Sequence, residues 1–365
     1  MVIATLERIA LMHLEKPYRF LTGVICLSLL LHCQTTLADP SGSAEKTERM
    51  IVVLGAEGTS EYGQQFADWS RRWQQLAADK QVALTLIGDS VDARHSDLEL
   101  VLHELHQQTD YTATWLILIG HGTFDGKTAR FNLRGPDLTA DALNQSCHAI
   151  QHPLAVINCF SSSAPFLETL SAKNRVVITA TKTGHEFYFS HFGNFLSQAA
   201  SDKLSDLDHD GQISLLEAYL AASRQTSEYY LEKGELATEH SLLDDNADQQ
   251  GTRGDQFQGL HQTPGSVTTT ASLPDGFRAH QFILSTTQRL RLVSGEQKQL
   301  RDELEIKILE LKQRKASFAN LDEYYTQLEP LMVELANVYR SLDQKEKRII
   351  YDSQVVPANA KKTSQ

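Results

Sequence analysis

Between residues 50 and 181 the chain repeats one pattern. Short apolar runs, Met50 to Leu54, Val82 to Ile87, Trp115 to Ile119, Leu154 to Ile157 and Arg175 to Thr181, alternate with stretches of helical spacing. A strand that is apolar on both faces has to be covered on both, and strands separated by helices return in parallel. The pattern therefore predicts an α/β fold with a mostly parallel central sheet between helices. Phe66, Trp69, Trp73 and Leu76 recur at helical spacing across Glu61 to Ala78. Ser96 caps a helix carrying Leu98, Val101, Leu102 and Leu105 on one face, Thr139 caps the next, and another helix lies around Phe189 to Ala200.

A chain of 365 residues, 41% hydrophobic and 22% charged, buries at least one full core and has room for an extra element. A net charge of -12 excludes a general basic surface for nucleic acid or anionic lipid. Residues 1–38 read as an export signal. Lys16 and Arg19 precede the apolar run Phe20 to Leu31, too short for a comfortable membrane span, and Thr36-Leu37-Ala38 places cleavage after Ala38. Residues 1–11 form a long leading region, so Met12 is an alternative start. The reading is an exported, periplasmic or secreted protein with no stable membrane span after cleavage. The rival is a lipoprotein acylated on Cys33, which His32 fits poorly. Residues 39–49 are a linker. Cys147 and Cys159 remain in the mature chain, and one disulfide is the plainest use of two cysteines in an exported protein.

In open parallel sheets ligands sit beyond the carboxyl ends of the strands. There the third strand runs into Gly120-His121-Gly122 and the fourth into Asn158-Cys159-Phe160-Ser161. If the two strands are neighbours, an imidazole meets a thiol, which it can deprotonate, and it can then protonate a departing amine. Ser161 to Ser163 and Pro165 mark a helix start, whose N-terminus favours a thiolate. The N–H groups of Gly122 and Cys159 could form an oxyanion hole.

An apolar strand ending in His-Gly and another ending in Cys resemble the caspase-like cysteine peptidases, and more closely their legumain-like members, which include exported bacterial proteins. The stretch Gly120 to Gly126, running into Phe131 to Leu138, is similar to bacterial members, and the resemblance covers roughly Met50 to Leu260. It implies a caspase-like three-layer sandwich over 50–262, a polypeptide substrate, and an endopeptidase working through a thioester. In that reading Cys159 is the nucleophile, His121 the general base or acid and Gly122 an oxyanion donor. Transfer to an amine other than water is also implied, since related enzymes include ligases and transamidases. The chain departs from the pattern in two places: Asn158 and Phe160 flank the cysteine where small residues are usual, and Gly55-Ala56-Glu57-Gly58 stands where legumain-like enzymes have a pocket arginine. Lys182, His185 and Glu186 could line a specificity pocket instead. A second reading therefore stays open, a non-catalytic calcium-stabilised binding module that uses the same cleft and a C-terminal helical hairpin to assemble with partners.

The stretch 206–217 satisfies the EF-hand calcium loop, with Asp206, Asp208 and Asp210 at positions 1, 3 and 5, Gly211 at the sharp turn, the Gln212 carbonyl, Ser214, and Glu217 at position 12. Ca2+ is the expected cofactor, as a structural staple. A weaker echo places Asp244, Asn246, Asp248 and Asp255 at positions 1, 3, 5 and 12, with Gln249 where glycine is preferred. It reads either as a second metal site without EF-hand geometry or as a solvated acidic loop. Residues 263–276, rich in Thr, Ser, Pro and Gly, are a linker. Over 277–345 Leu300, Leu304, Ile308 and Leu311 mark one helix, and Leu321, Tyr324, Leu328, Leu331, Leu335, Val338 and Leu342 a second, with a break at Ala316 to Asn320. This predicts a helical hairpin that packs on itself, on the domain before it, or on a second chain by self-association or with a protein partner. Residues 346–365 are expected to be disordered.

Overall fold

The computed structural model describes residues 48–90, 94–107, 111–263, 273–286, 295–318 and 320–360. The expected signal segment, nearly all of the linker after it and residues 264–272 lie outside the described residues. Strand β1 (Arg49–Leu54), buried along its whole length, pairs in parallel with β2 (Ala83–Ile87) on one side and β3 (Thr114–Ile119) on the other. Beyond β3 a small antiparallel sheet forms from β4 (Gly122–Phe124), β5 (Ala129–Phe131) and β6 (Leu138–Thr139). The main sheet continues with β7 (Leu154–Cys159) parallel to β3 and β8 (Arg175–Thr179) parallel to β7. Past β9 (Gln212–Ser214), which lies in another sheet, β10 (Leu242–Asp244) closes the edge antiparallel to β8. The order β10-β8-β7-β3-β1-β2 is the expected mostly parallel sheet with one antiparallel edge.

Alternation along each strand divides the core in two. On one face Met50, Val52, Trp115, Ile117, Ala155, Ile157 and Ile178 pack under helices α1 (Ser60–Lys80), α5 (Phe192–Ala199) and α6 (Leu215–Lys233). On the other, Ile51, Val53, Leu116, Leu118, Val156 and Val177 pack under α2 (Asp97–His106), α3 (Ala140–Cys147) and α4 (Ala164–Leu170). This is a three-layer α/β sandwich. The caps are those the sequence marks: Ser96 accepts from Glu99 N–H in a capping box, and Thr139 accepts from Ala142 N–H. Burying side chains such as Trp69 and Trp73 contributes roughly 1.5–3 kcal/mol apiece, which is what seats α1 on the sheet.

Two boundaries differ from the sequence reading. Residues 277–286 do not begin the hairpin: they form α7 (Phe277–Gln281) and β13 (Ile283–Thr286), and β13 pairs antiparallel with β9 inside the sandwich domain. Between β10 and β13 the short strands β11 (Phe257–Gln258) and β12 (His261–Gln262) pair with one another. The tail expected to be disordered from residue 346 continues as helix to Ala360. The hairpin itself is α8 (Gly295–Gln313) and α9 (Leu321–Ala360), joined through a 3-10 turn, with Leu304, Ile308, Leu311, Tyr324 and Val338 buried along its seam. It docks on the domain. Gln281 donates to the Asp302 carbonyl (2.9 Å), and Lys298 Nζ lies 3.5 Å from Glu48 Oε1. Burial pushes the Glu48 carboxyl up, but Lys80 and Lys298 beside it and hydrogen bonds from Lys80 and Trp115 outweigh that and hold it at about 2. Among the described residues no helix is long and apolar enough to cross a membrane.

Candidate functional site

β3 and β7 are neighbours in parallel register, with Ile119 opposite Cys159. His121 and the turn after Cys159 therefore meet at the carboxyl edge of the sheet, as the motif reading requires. The side chains go elsewhere. Cys159 shares the sheet face of Ala155 and Ile157 and has no exposed surface. Gly193 of α5 and Trp69 of α1 close over it so tightly that a Cβ built on Gly193 would stand 2.7 Å from Cys159 Cβ and 2.9 Å from the indole. Burial pushes the Cys159 thiol far up, and the buried Glu239 carboxylate adds to the shift. His121 lies half-buried in an aromatic box, with ring centroids 4.8 Å from Tyr62, 5.1 Å from Phe66 and 5.8 Å from Phe189. Its Nε2 stands 3.3 Å from the Glu57 carbonyl, and partial burial moves its pKa down. Among the described residues no hydrogen bond joins His121 to Cys159.

The expected helix contribution fails for a geometric reason. α4 begins at Ala164 and packs Phe166, Leu167 and Leu170 on the opposite face of the sheet from the Cys159 side chain. The side chain that reaches Gly122 is Phe160: a Cβ on Gly122 would stand 2.5 Å from its ring, which packs against Phe131 and Phe166. Gly122 N–H, the expected oxyanion donor, faces Ser161 Oγ at 3.4 Å, and that hydroxyl donates to the Gly122 carbonyl (3.2 Å). Ser162, at φ 57°, donates its N–H to the Glu186 carbonyl (2.8 Å), and Ser163 Oγ accepts from Ala180 N–H (3.0 Å). These groups of the turn after β7 are thus spent on internal hydrogen bonds, while Ser162 Oγ is buried without a partner. Cys147 and Cys159 are both free thiols, buried on opposite faces of the sheet, so the disulfide considered from the sequence is not formed.

The loop after β8 gathers the residues considered for a pocket. Lys182 and His185 are exposed, and the His185 ring packs on Phe124 at 5.4 Å. Glu186 acts as a brace, accepting from Lys182 N–H (2.8 Å) and His240 N–H (3.2 Å) and facing His240 Nδ1 at 2.6 Å. The sequence reading missed the three aromatic residues next to it in the chain. Phe189 stacks on Tyr62 at 4.5 Å beside His121, while Phe187 and Tyr188, 64% and 61% exposed, pack on each other at 4.9 Å. These two exposed aromatic rings lie together beyond the carboxyl end of β8, the end of a parallel sheet where ligands usually sit. Their adjacency in Glu186-Phe187-Tyr188-Phe189 was the signal that could have found them.

The 206–217 segment forms a tight acidic turn. Positions 4 and 6, His209 and Gly211, take φ 60° and 85°, and Gly211 N–H bonds back to Asp206 Oδ2 (3.1 Å). Asp206, Asp208 and Asp210 offer oxygens within 4.8 Å of one another. Asp206 Oδ1 is buried with no hydrogen-bond partner, the kind of vacant acceptor a hard cation satisfies, so the residues fit Ca2+. Ser214 and Glu217 form the capping box of α6, with Glu217 Oε1 also accepting from Leu207 N–H (2.8 Å). In the second acidic stretch Asp244, Asn246 and Asp248 share one turn. Asp255, expected at position 12, is instead exposed and paired with Arg253, because the 3-10 turn Gly254–Gln256 carries it away.

Solved structures that resemble part of this chain include two caspases. One is the crystal structure of the Drosophila initiator caspase Dronc, with 13% identity over 50% of this chain and 72% of that one, and a TM-score of 0.36. The other is caspase-1 from Spodoptera frugiperda, with 8% identity over 55% of this chain and 87% of that one, and a TM-score of 0.36. No family model and no curated protein matches the chain.

Proposed function

We propose that this chain is an exported, calcium-stiffened caspase-like module that binds polypeptide at the carboxyl edge of its sheet and does not cut it through Cys159. The burial of Cys159 carries the reading. A nucleophile has to be deprotonated and reach its substrate, and this thiol is sealed beneath Gly193 and Trp69 with its ionised form strongly disfavoured. The Phe187-Tyr188 pair beside the His121 box supplies anchors for an extended chain. The apolar run Phe20 to Leu31 and the small residues before position 39 support export. The three clustered carboxylates and the vacant Asp206 oxygen support Ca2+ at 206–217, held by Asp206, Asp208, Asp210, the Gln212 carbonyl, Ser214 and Glu217.

The cysteine endopeptidase reading keeps one observation in its favour: Ile119 and Cys159 in register, with His121-Gly122 at the same edge. One pair of assays on the calcium-loaded protein separates the two. Selection from a displayed peptide library should yield binders whose affinity falls at least tenfold in Phe187→Ser/Tyr188→Ser, while the same library in solution stays uncut. Cleavage abolished by Cys159→Ala would reject the binding-module reading in favour of the peptidase.

A further inference from the structure

The turn after β10 repeats the first half of the calcium loop without the rest of it. Ala247 and Gln249, four and six residues into the count from Asp244, take φ 67° and 65°, matching His209 and Gly211 in the loop that starts at Asp206. The side-chain bonds match as well. Asp248 N–H donates to Asn246 Oδ1 (2.9 Å) and Gln250 N–H to Asp248 Oδ1 (2.8 Å), as Asp210 N–H donates to Asp208 Oδ1 (3.1 Å) and Gln212 N–H to Asp210 Oδ1 (2.7 Å). A pair of backbone bonds between Leu243 and Thr252 closes the base of the turn.

Geometry of this kind could be a solvated turn, but one group in it is not solvated. Asp244 is 1% exposed. Its Oδ1 accepts from Asn246 N–H (3.3 Å) and Ala247 N–H (3.1 Å), which turns the carboxylate head into the loop, and its Oδ2 is buried with no hydrogen-bond partner. The Ser171 hydroxyl lies within hydrogen-bonding reach of this carboxyl and accepts from Gln249 N–H (3.1 Å). Burying an ionised carboxylate with an open acceptor is costly unless a cation completes it.

We infer that the Asp244–Gln250 turn is a second divalent-cation site, in which a calcium ion is held by the side-chain oxygens of Asp244, Asn246 and Asp248 and by the Gln250 carbonyl. With two carboxylates against four in the first loop, and no residue in the role of Glu217, it binds more weakly than the first. The two sites flank one segment. Asp245 accepts from Gly276 N–H (3.0 Å) and Ala279 N–H (2.7 Å), and β13, next along the chain, pairs with β9 of the first loop.

The test is the number of calcium ions bound by the full chain, measured by equilibrium dialysis with radioactive calcium. It compares wild type, a first-loop variant (Asp206→Ala/Asp208→Ala) and a second-loop variant (Asn246→Ala/Asp248→Ala), with far-UV circular dichroism checking that each is folded. Asp244, wholly buried, is left intact so that folding survives. Wild type should bind two ions and each variant one. If the wild type binds one ion and the folded first-loop variant binds none, the second site is overturned. If the wild type binds one ion that only the second-loop variant loses, the second site stands and the EF-hand assignment of 206–217 fails.

Discussion

At the scale of single residues the decisive fact is parity. A strand sends alternate side chains to opposite faces, so Cys159 goes where Ile157 goes, into the core beneath α1 and α5, and Phe160 goes to Gly122. The sequence places a thiol at a strand end facing His121-Gly122, but being at the edge and facing the cleft are separate properties. That separation was readable from Ala155, Ile157 and Cys159 sharing odd positions, although a strand apolar on both faces gives no sign of which parity meets solvent. The closeness of the packing gives a direct prediction. Gly193→Ala places a methyl 2.7 Å from Cys159 Cβ, and should lower the unfolding free energy by about 1–3 kcal/mol in urea titrations. Unchanged stability would mean that the lid over the thiol has room to open.

Among the elements, the segment of α7 and β13 is the one whose role the sequence conceals. The stretch before it is rich in Thr, Ser, Pro and Gly, and β13 exists only by pairing with β9, a non-local contact that no local pattern encodes. The long parallel strands and the helices capped by Ser96 and Thr139 were legible because each carries its own periodicity and start signal. The cluster of Asp206, Asp208 and Asp210 was legible because its oxygens come from alternate positions of one turn, and the same linear counting misassigned Asp255, which a 3-10 turn removes. This segment is also held by buried acids. Asp275 accepts from Asp245 N–H (3.1 Å) and from the Thr252 hydroxyl (2.6 Å). Burial, with the neighbouring carboxylate adding to it, raises the Asp275 carboxyl well above 3.8, and burial raises Asp245 to about 6. A raised carboxyl takes up a proton more readily in the folded state, so its favourable contribution is complete below 3.8 and is lost as pH rises through the folded value, about 6 for Asp245. In chelator-containing buffer, Asp275→Asn should therefore gain stability relative to wild type as pH rises from 3.8 to beyond about 6, read from paired urea titrations. A difference that stays flat with pH would contradict this account of the buried acids.

For the whole molecule, the three-layer sandwich carries the exposed Phe187-Tyr188 pair at one end of its parallel sheet, while the acidic loops and the docked hairpin share the α7–β13 segment. Lys80 joins these parts. It pairs with Glu48 at 2.9 Å and donates to the Ile283 carbonyl, while Glu48 also meets Lys298 of α8. On the proposed reading these contacts strengthen a scaffold, and the buried Cys159 thiol takes no part in chemistry. The measurement that tests it most directly is alkylation of the native full chain with iodoacetamide, tracked residue by residue by mass spectrometry, in wild type and His121→Ala. Cys159 and Cys147 should react only as fast as the protein unfolds, at equal rates in both proteins, with full labelling on adding denaturant. Rapid alkylation of native Cys159 that slows when His121 is removed would contradict the account and restore the histidine-cysteine pair as a catalytic dyad.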